Sequence, residues 1–451
     1  MIRRLLIANR GEIAVRIIRA CKELGIETVV VYSTADKESL AVQLADQAVC
    51  IGPAPAKDSY LNMGLIVQTA CSTGCDAVHP GYGFLSENAK FARLVQECDM
   101  TFVGPNPKLI QMMGDKTQAR KLMKEAGVPV VEGCEDALKS VEDAKNMAES
   151  IGYPVIIKAR LGGGGRGMRI VYKAEDLENA YTEARQEAKV CFENDEVYME
   201  RYVENPKHIE VQILGDHYGH VVHLFERDCS FQRKNQKIIE EAPCTALTRD
   251  NREKLLSQAV NAARSIGYDS AGTMEFLMDK QGNFYFMEMN TRIQVEHPVT
   301  EAITGVDLIK WQIKIASGQH LTLKQEDIRC HGHAMECRIN AEDVAHDFAP
   351  SPGPVTFMHV PGGHGVRVDT AVYISPYYDS MIMKLIVSAG NRLECIKKMR
   401  ASLEETIVSG VKTNIEFNYL TLYQKEFIEG SHDIGYAPIL LKRLKENGQF
   451  I

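Results

Sequence analysis

Glu275 and Glu288 stand in two apolar runs, TMEFLM and FYFMEMN, joined by DKQGN, whose glycine suits a β-hairpin turn. Residues two apart on a strand share a face, so Glu288 and Asn290 point the same way. A carboxylate on a mostly buried strand is costly unless something positive meets it. Mg²⁺ is suited to that place, because it takes a few carboxylate or amide oxygens and keeps positions for phosphate and water. Arg292, Gln294 and Glu296 follow at alternating positions, on one face if the chain stays extended. A metal edge running into a cation, an amide and an acid points to nucleotide-driven chemistry on a small anion. The competing reading is an acidic hairpin with a solvated face, for which FYFMEM is too apolar.

A phosphate-binding segment is legible upstream. YPVIIKARLGGGGRGMRIVYK contains GxGxxG at Gly162, Gly164 and Gly167, with Gly163 and Gly165 between. The strand-like MRIVY follows instead of a helix, which argues against a dinucleotide site, and no GK[ST] closes the loop. A strand, a glycine-rich loop and a second strand make a flap whose backbone N–H groups can wrap phosphate oxygens. Lys158 before the loop and Lys116 in GDKTQAR supply point charges. Further on, the strand end Met199-Glu200-Arg201-Tyr202 offers apolar faces and a backbone edge for an adenine. Glu200 and His208 are within its reach.

Placing these groups takes more than one core. A chain of 451 residues exceeds the size at which a single core keeps growing, so two or three domains are expected. RRLLIAN reads as a strand, GEIAVRIIRACKEL as a helix stopped at Gly25, and ETVVVYS as the next strand. This β-α-β opening implies a parallel sheet, Rossmann-like in topology alone because ANRGEIA lacks the dinucleotide glycines. Helix-rich sequence follows Pro105-Asn106-Pro107, hairpins begin at Tyr153, and a strand-rich part ending in helices begins near 318–350. Three regions result: an α/β domain at 1–114, a nucleotide domain at 115–330 with a lid at about 131–203, and a C-terminal α+β domain at 331–451. A net charge of −8 argues against a nucleic-acid surface as the main partner. No apolar run reaches the length of a membrane span, and the basic start lacks the apolar core of a signal peptide. Twelve cysteines without framework spacing fit free thiols in a cytoplasmic protein. Neither Cys71-x3-Cys75 nor Cys330-His331-Gly332-His333 with Cys337 has convincing zinc spacing.

Taken together, IANRGEIAVRIIRACKELGI, HPGYGFLSEN, MGDKTQAR, KARLGGGGRGMRIV, ERYVENPKHIEVQILGD, MEMNTRIQVEHPVTE, ECRINAED and YYDSMIMKLI resemble the ATP-grasp superfamily, and within it the biotin carboxylases. The resemblance covers essentially the whole chain and implies an ATP-grasp architecture. It implies that Lys116 and Lys158 bind ATP phosphates beneath a lid of Gly162–Gly167 and Met168. Glu200, Arg201, His208, Gln232 and Leu277 would shape the adenine–ribose pocket. Glu275 and Glu288, with Asn290, would hold Mg²⁺ or Mn²⁺, usually as a pair of ions. Lys237, Arg292, Gln294, the Val295 backbone and Glu296 would hold bicarbonate. Arg338, with Tyr82 nearby, would meet the biotin ureido group. Arg16, Arg19 and Glu23 match the family's dimer surface. Asn235 stands where the family often has His, and Arg201 where it often has Lys.

The implied reaction is carboxylation of biotin by ATP and bicarbonate through carboxyphosphate, the first half-reaction of acetyl-CoA carboxylase. Glu296, Arg338, Arg292 and Lys237 would carry it. Biotin would arrive on a separate carrier protein, with carboxyltransferase subunits as further partners and a homodimer as the assembly. Met381-Ile382-Met383-Lys384 superficially resembles a biotinylation hairpin, but it lies within YYDSMIMKLI, so Lys384 is not expected to carry biotin. Propionyl-CoA or pyruvate carboxylase subunits, or another ATP-grasp ligase, remain the alternatives.

Overall fold

The computed structural model describes residues 2–134, 136–161, 167–370 and 375–450. Gly162, Gly163, Gly164 and Gly165 of the expected phosphate flap therefore lie outside the described residues.

Short β-branched runs open the chain as parallel strands. Strands β1 (Arg4–Ile7), β2 (Glu27–Tyr32), β3 (Gln47–Cys50), β4 (Ala77–His79) and β5 (Thr101–Phe102) pair in the order β3-β2-β1-β4-β5, all in parallel. The helix Gly11–Glu23 crosses from β1 to β2 and buries Ile13, Val15, Ile17 and Ile18 beside the sheet. Gly11 begins it at φ +66, a left-handed backbone that a side chain would strain. Parallel strands covered by helices read as continuous apolar runs, as LLI and TVVV do.

A second, smaller sheet lies within the segment 131–203 expected to act as a lid. Strands β6 (Val155–Ala159), β7 (Met168–Val171) and β8 (Val197–Arg201) pair antiparallel in the order β7-β6-β8. The helices Val141–Ile151 and Leu177–Phe192 cover it and share one apolar cluster with it.

The third sheet is the largest among the described residues, with eight strands. Strands β9 (Lys207–Gly215), β10 (Val221–Arg233), β11 (Gln236–Ala242), β12 (Ser270–Met278), β13 (Phe284–Asn290) and β14 (His333–Asn340) belong to it. Two short ladders follow in the chain: β15 (Glu342–Asp343) with β16 (Ala349–Pro350), and β17 (Phe357–His359) with β20 (Ile407–Ser409). Between them β18 (Val366–Thr370) and β19 (Met381–Ala389) complete the large sheet, in the order β13-β12-β9-β10-β11-β14-β19-β18. Because β11 pairs with β14, the sheet runs unbroken across residue 330.

Strand β9 explains why this sheet holds a site. Ile209, Val211 and Ile213 join an apolar core with the helix Arg249–Ser265. The alternate residues His208, Glu210 and Gln212 face the other way and are equally buried. A buried polar face is stable only where its groups meet partners.

Candidate active site

The polar face opens into a cavity of about 740 Å³. Lys116, Lys158 and Met168 line it beside His208, Gln232 and Leu277. Glu275, Glu288 and Asn290 line its floor, and Lys237, Arg292, Gln294, Val295, Glu296, Arg338 and Tyr82 line the rest. The hairpin register sets Glu275 directly opposite Glu288 on β12 and β13, with Gly282 in the turn at φ +82.

Glu275 is the hub of the floor. Its Oε1 accepts from Asn290 Nδ2 at 2.8 Å, Gln294 Nε2 at 2.9 Å and Lys237 Nζ at 3.1 Å. His208 Nε2 stands 3.0 Å from its other oxygen, and Gln232 Nε2 lies 3.1 Å from His208 Nδ1. Burial works against the Glu275 charge, but Lys237 and His208 outweigh it and hold the carboxyl well below the usual range. Lys116 Nζ pairs with Glu288 at 3.1 Å; its pKa is raised, although burial opposes the charge.

At the opposite end, Lys237 Nζ touches three acids: Glu210 at 2.6 Å, Glu275 at 3.1 Å and Glu296 at 2.5 Å. Glu296 is fully buried, and its second oxygen takes Arg338 at 3.1 Å. Burial disfavours its charge, but Lys237 and Arg338 prevail and keep Glu296 ionised well below the carboxylate range. Arg338 also donates to Glu240 at 2.6 Å. Burial, with Arg338 pulling the other way, pushes Glu240 up to about 7. Arg292 donates to Glu87 at 2.8 Å, Asn290 at 2.8 Å and Gln294 at 2.9 Å.

Two expectations need correction. The chain beyond β13 does not stay extended: the strand ends at Asn290, and Glu296 caps the helix His297–Thr304 with Pro298 in its first turn. Gln294 and Glu296 still converge, by a turn and not by strand alternation. The Arg201 side chain is exposed, pairs with Glu132 and lines a separate cavity of about 720 Å³. Alternation along β8 forces this, because Glu200 takes the inward position. Glu200 is buried behind the cavity, gripping Lys158 Nζ at 2.6 Å and Arg120. Finally, Arg16 is not a surface residue. It is buried against Glu301 and Asp307, each at 2.8 Å, whereas Arg19 and Glu23 remain exposed.

Sequence reasoning missed Glu210, Arg227, Glu240, Glu87 and Arg120. Arg227 is wholly buried, bonding Glu210, Gln212 at 2.8 Å, Thr300 at 2.9 Å and Thr273 at 3.1 Å. The available signal was the alternation in HIEVQIL, a polar face on a strand too apolar to be an edge. The cysteine–histidine run contributes nothing here: His333 pairs with Glu241 at 2.7 Å, and Cys337 is buried in the C-terminal core.

Glu275, Glu288 and Asn290 offer a hard cation oxygen donors only, which fits Mg²⁺ or Mn²⁺. Lys116 and Lys158 are placed where they could supply charges for phosphates. The Lys237, Arg292 and Arg338 cations with Glu296 can seat a small anion beside an ionised base.

Comparison with known proteins agrees along the whole chain. Residues 1–110 match the biotin carboxylase N-terminal domain, 115–324 the carbamoyl-phosphate synthase L chain ATP-binding domain, and 336–437 the biotin carboxylase C-terminal domain. Biotin carboxylase 1 of Bacillus subtilis is 55% identical over 95% of this chain and 97% of its own length. This chain belongs to the biotin carboxylase family. The biotin carboxylase of Haemophilus influenzae is 54% identical, covering 97% of this chain and 98% of that one. Among solved structures, the biotin carboxylase domain dimer of Hydrogenobacter thermophilus 2-oxoglutarate carboxylase, in complex with MgADP, ADP and bicarbonate, superposes with a TM-score of 0.95 at 52% identity. It covers 100% of this chain and 98% of that one. The fold is thus the ATP-grasp architecture of biotin carboxylases, and the protein is an ATP-dependent carboxylase. Among the described residues, no helix is long and apolar enough to cross a membrane.

Proposed function

We propose that this chain carboxylates the ureido nitrogen of biotin held on a separate carrier protein, as the first half-reaction of acetyl-CoA carboxylase. The carrying observation is Glu296 held between Lys237 at 2.5 Å and Arg338 at 3.1 Å in the cavity that Lys116 and Lys158 also line. Lys237, Arg292, Gln294 and the Val295 N–H seat bicarbonate, and Glu296 takes its proton as general base. The freed oxygen attacks the γ-phosphorus of ATP, whose phosphates Lys116 and Lys158 hold in line, giving carboxyphosphate and ADP. Mg²⁺ or Mn²⁺, as one ion or two on Glu275, Glu288 and Asn290, supplies charge neutralisation on the phosphates. His208, Gln232, Leu277 and Met168 bound the nucleotide end. The lid excludes water from the labile carboxyphosphate. Carboxyphosphate breaks into CO₂ and phosphate, the phosphate takes the ureido proton, and the nitrogen captures CO₂. Arg338 stabilises the developing negative oxygen of the ureido group, with Tyr82 beside it.

The carrier and the carboxyltransferase are proposed as separate chains, and the assembly as a homodimer through the face bearing Arg19 and Glu23. The likeness to a 2-oxoglutarate carboxylase domain supports a second reading of the final acceptor, in which a 2-oxo acid replaces acetyl-CoA. ADP formation with free biotin, with and without bicarbonate, tests the first step: the expected result is turnover that needs bicarbonate and rises with biotin. Equal turnover without bicarbonate would favour another ATP-grasp ligase. Adding carrier and transferase then reads out malonyl-CoA against a carboxylated 2-oxo acid.

A further inference from the structure

Lys384 is the one lysine among the described residues with no exposed surface at all, and nothing in the reaction above uses it. A buried ammonium is costly unless its N–H groups find acceptors. On β19 it reaches across three parts of the molecule. Its Nζ donates to the backbone oxygen of Val295 at 2.9 Å, pairs with Glu12 Oε1 at 3.1 Å and lies 4.0 Å from Asp369. Asp369 is itself gripped by Arg367, so its charge is already matched. Val295 sits in the loop between Gln294 and Glu296, whose side chains bond Glu275 and Lys237. Glu12 lies on the helix Gly11–Glu23 of the N-terminal sheet, and the same Glu12 oxygen accepts from the Tyr82 hydroxyl. Glu12 Oε2 has no hydrogen-bond partner among the described residues. Glu12 is therefore held by just two groups, and one of them is Lys384.

The loop is also braced from its other side, where His297 Nδ1 lies 2.8 Å from the Gln294 oxygen. Tyr82 has a second anchor, Asn9 Nδ2 to its carbonyl at 2.7 Å, but its hydroxyl has Glu12 alone among the bonds described. One ammonium thus fixes the peptide of the anion loop and, through Glu12, the hydroxyl at the opposite wall of the cavity. The two walls belong to different sheets, and no direct bond between Tyr82 and the loop is described.

We infer that Lys384 and Glu12 are positioning residues that set the distance between the bicarbonate loop and Tyr82, and so between the activated carboxyl and the incoming biotin. This rests on the reaction proposed above. It also accounts for the lysine of MIMK, whose burial keeps it from any modifying enzyme.

The test is steady-state kinetics of Lys384→Met, Lys384→Arg and Glu12→Gln against the wild type, with thermal melting and ATP, bicarbonate and free biotin each varied. For Lys384→Met the KM for bicarbonate should rise and biotin-dependent kcat fall, each roughly 10- to 100-fold, with the KM for ATP unchanged. Glu12→Gln, which keeps a bond to Tyr82 but loses the charge, should lower biotin-dependent turnover and leave the KM for bicarbonate in place. Lys384→Arg should restore part of both. A folded Lys384→Met with wild-type bicarbonate and biotin kinetics would overturn the inference. So would losses shared equally with ATP and tracking the melting temperature, the signature of a lysine that merely holds the fold. If Lys384→Met does not fold, wild-type biotin kinetics in Glu12→Gln overturns it instead. A wild type without bicarbonate-dependent ADP formation counts against the proposed reaction, and the inference falls with it.

Discussion

Replacing Glu296 by glutamine changes the charge at the centre of the site and almost nothing of its shape. Glu296 meets Lys237 at 2.5 Å and Arg338 at 3.1 Å, and Lys237 also meets Glu210 at 2.6 Å and Glu275 at 3.1 Å. At an effective dielectric near 20, each contact of Lys237 has a gross attraction of about 5–7 kcal/mol, so the ammonium keeps roughly two thirds of it in Glu296→Gln. Arg338 keeps Glu240 at 2.6 Å. No cation is orphaned, so the stability loss should be about 2 kcal/mol, the scale of one charged hydrogen bond, below the ~3–5 kcal/mol of a broken buried pair. Catalysis should suffer more. Losing a general base removes about 10²–10⁴ in rate, or about 3–5 kcal/mol of barrier. The assay is ADP release at saturating ATP with bicarbonate varied, alongside nucleotide binding by calorimetry. Bound nucleotide with turnover lost is the expected outcome. Near-wild-type turnover in the folded variant would remove Glu296 as the base and leave it as one more partner of Lys237.

Arg338→Met should abolish the stimulation of ADP formation by biotin while bicarbonate-dependent turnover without biotin persists, a loss of about 10²–10³ that biotin titration reads directly. Nucleotide affinity should depend on Mg²⁺ and lose part of that dependence in Glu288→Gln; calorimetry with and without the metal would show it, and an unchanged dependence would remove Glu288 as a ligand. Glu241 is buried between His333 at 2.7 Å and Arg392 at 2.6 Å; burial opposes its charge, but these partners hold its pKa well below the usual value. A lowered folded pKa contributes stability above the unfolded value near 4.5 and loses it as the pH falls through the folded one. Glu241→Gln should therefore be less stable at neutral pH by about 3–5 kcal/mol and show a shallower loss below pH ~4.5, followed by thermal melts across pH. Intact mass and streptavidin blotting should find no biotin on the chain, because Lys384 has no exposed surface.

The parts of the site that the sequence revealed share one property: they are local. A glycine turn between two alternating runs is enough to place Glu275 and Glu288 on neighbouring strands, but the irregularity between Glu275 and Phe276 that sets them directly opposite is not legible in the alternation. Alternation failed after Asn290, where the Thr291 N–H bonds Glu87 at 3.0 Å, a partner 204 residues away. Arg16 illustrates the same limit. Its place on an amphipathic helix suits either solvent or a partner, and the acids that bury it lie 285 and 291 residues downstream. Arg201 and Glu200 are neighbours on β8, so their side chains take opposite faces, and only that of Glu200 turns inward. Glu210 and Arg227 went unread because a strand buried on both faces hides its polar side. Only the surrounding cations reveal that such residues belong to a site.

That polar side has a logic of its own. Singly, none of these buried charges would be tolerated in a core. Here the cations are matched in pairs that substrates can take over: Lys116 holds Glu288, and Lys237 holds Glu275 and Glu296. A triphosphate arriving alone would compete with Glu288 for Lys116 and be repelled by both floor carboxylates. With a divalent cation bound, the phosphates would take the lysine while the acids would hold the ion, and no charge would be stranded. Bicarbonate would stand in the same relation to Lys237. Binding would then proceed by exchange of ion pairs, with no charge of the empty site left unpaired. A site of this kind can stay folded when empty and still present its strongest charges to the reacting groups.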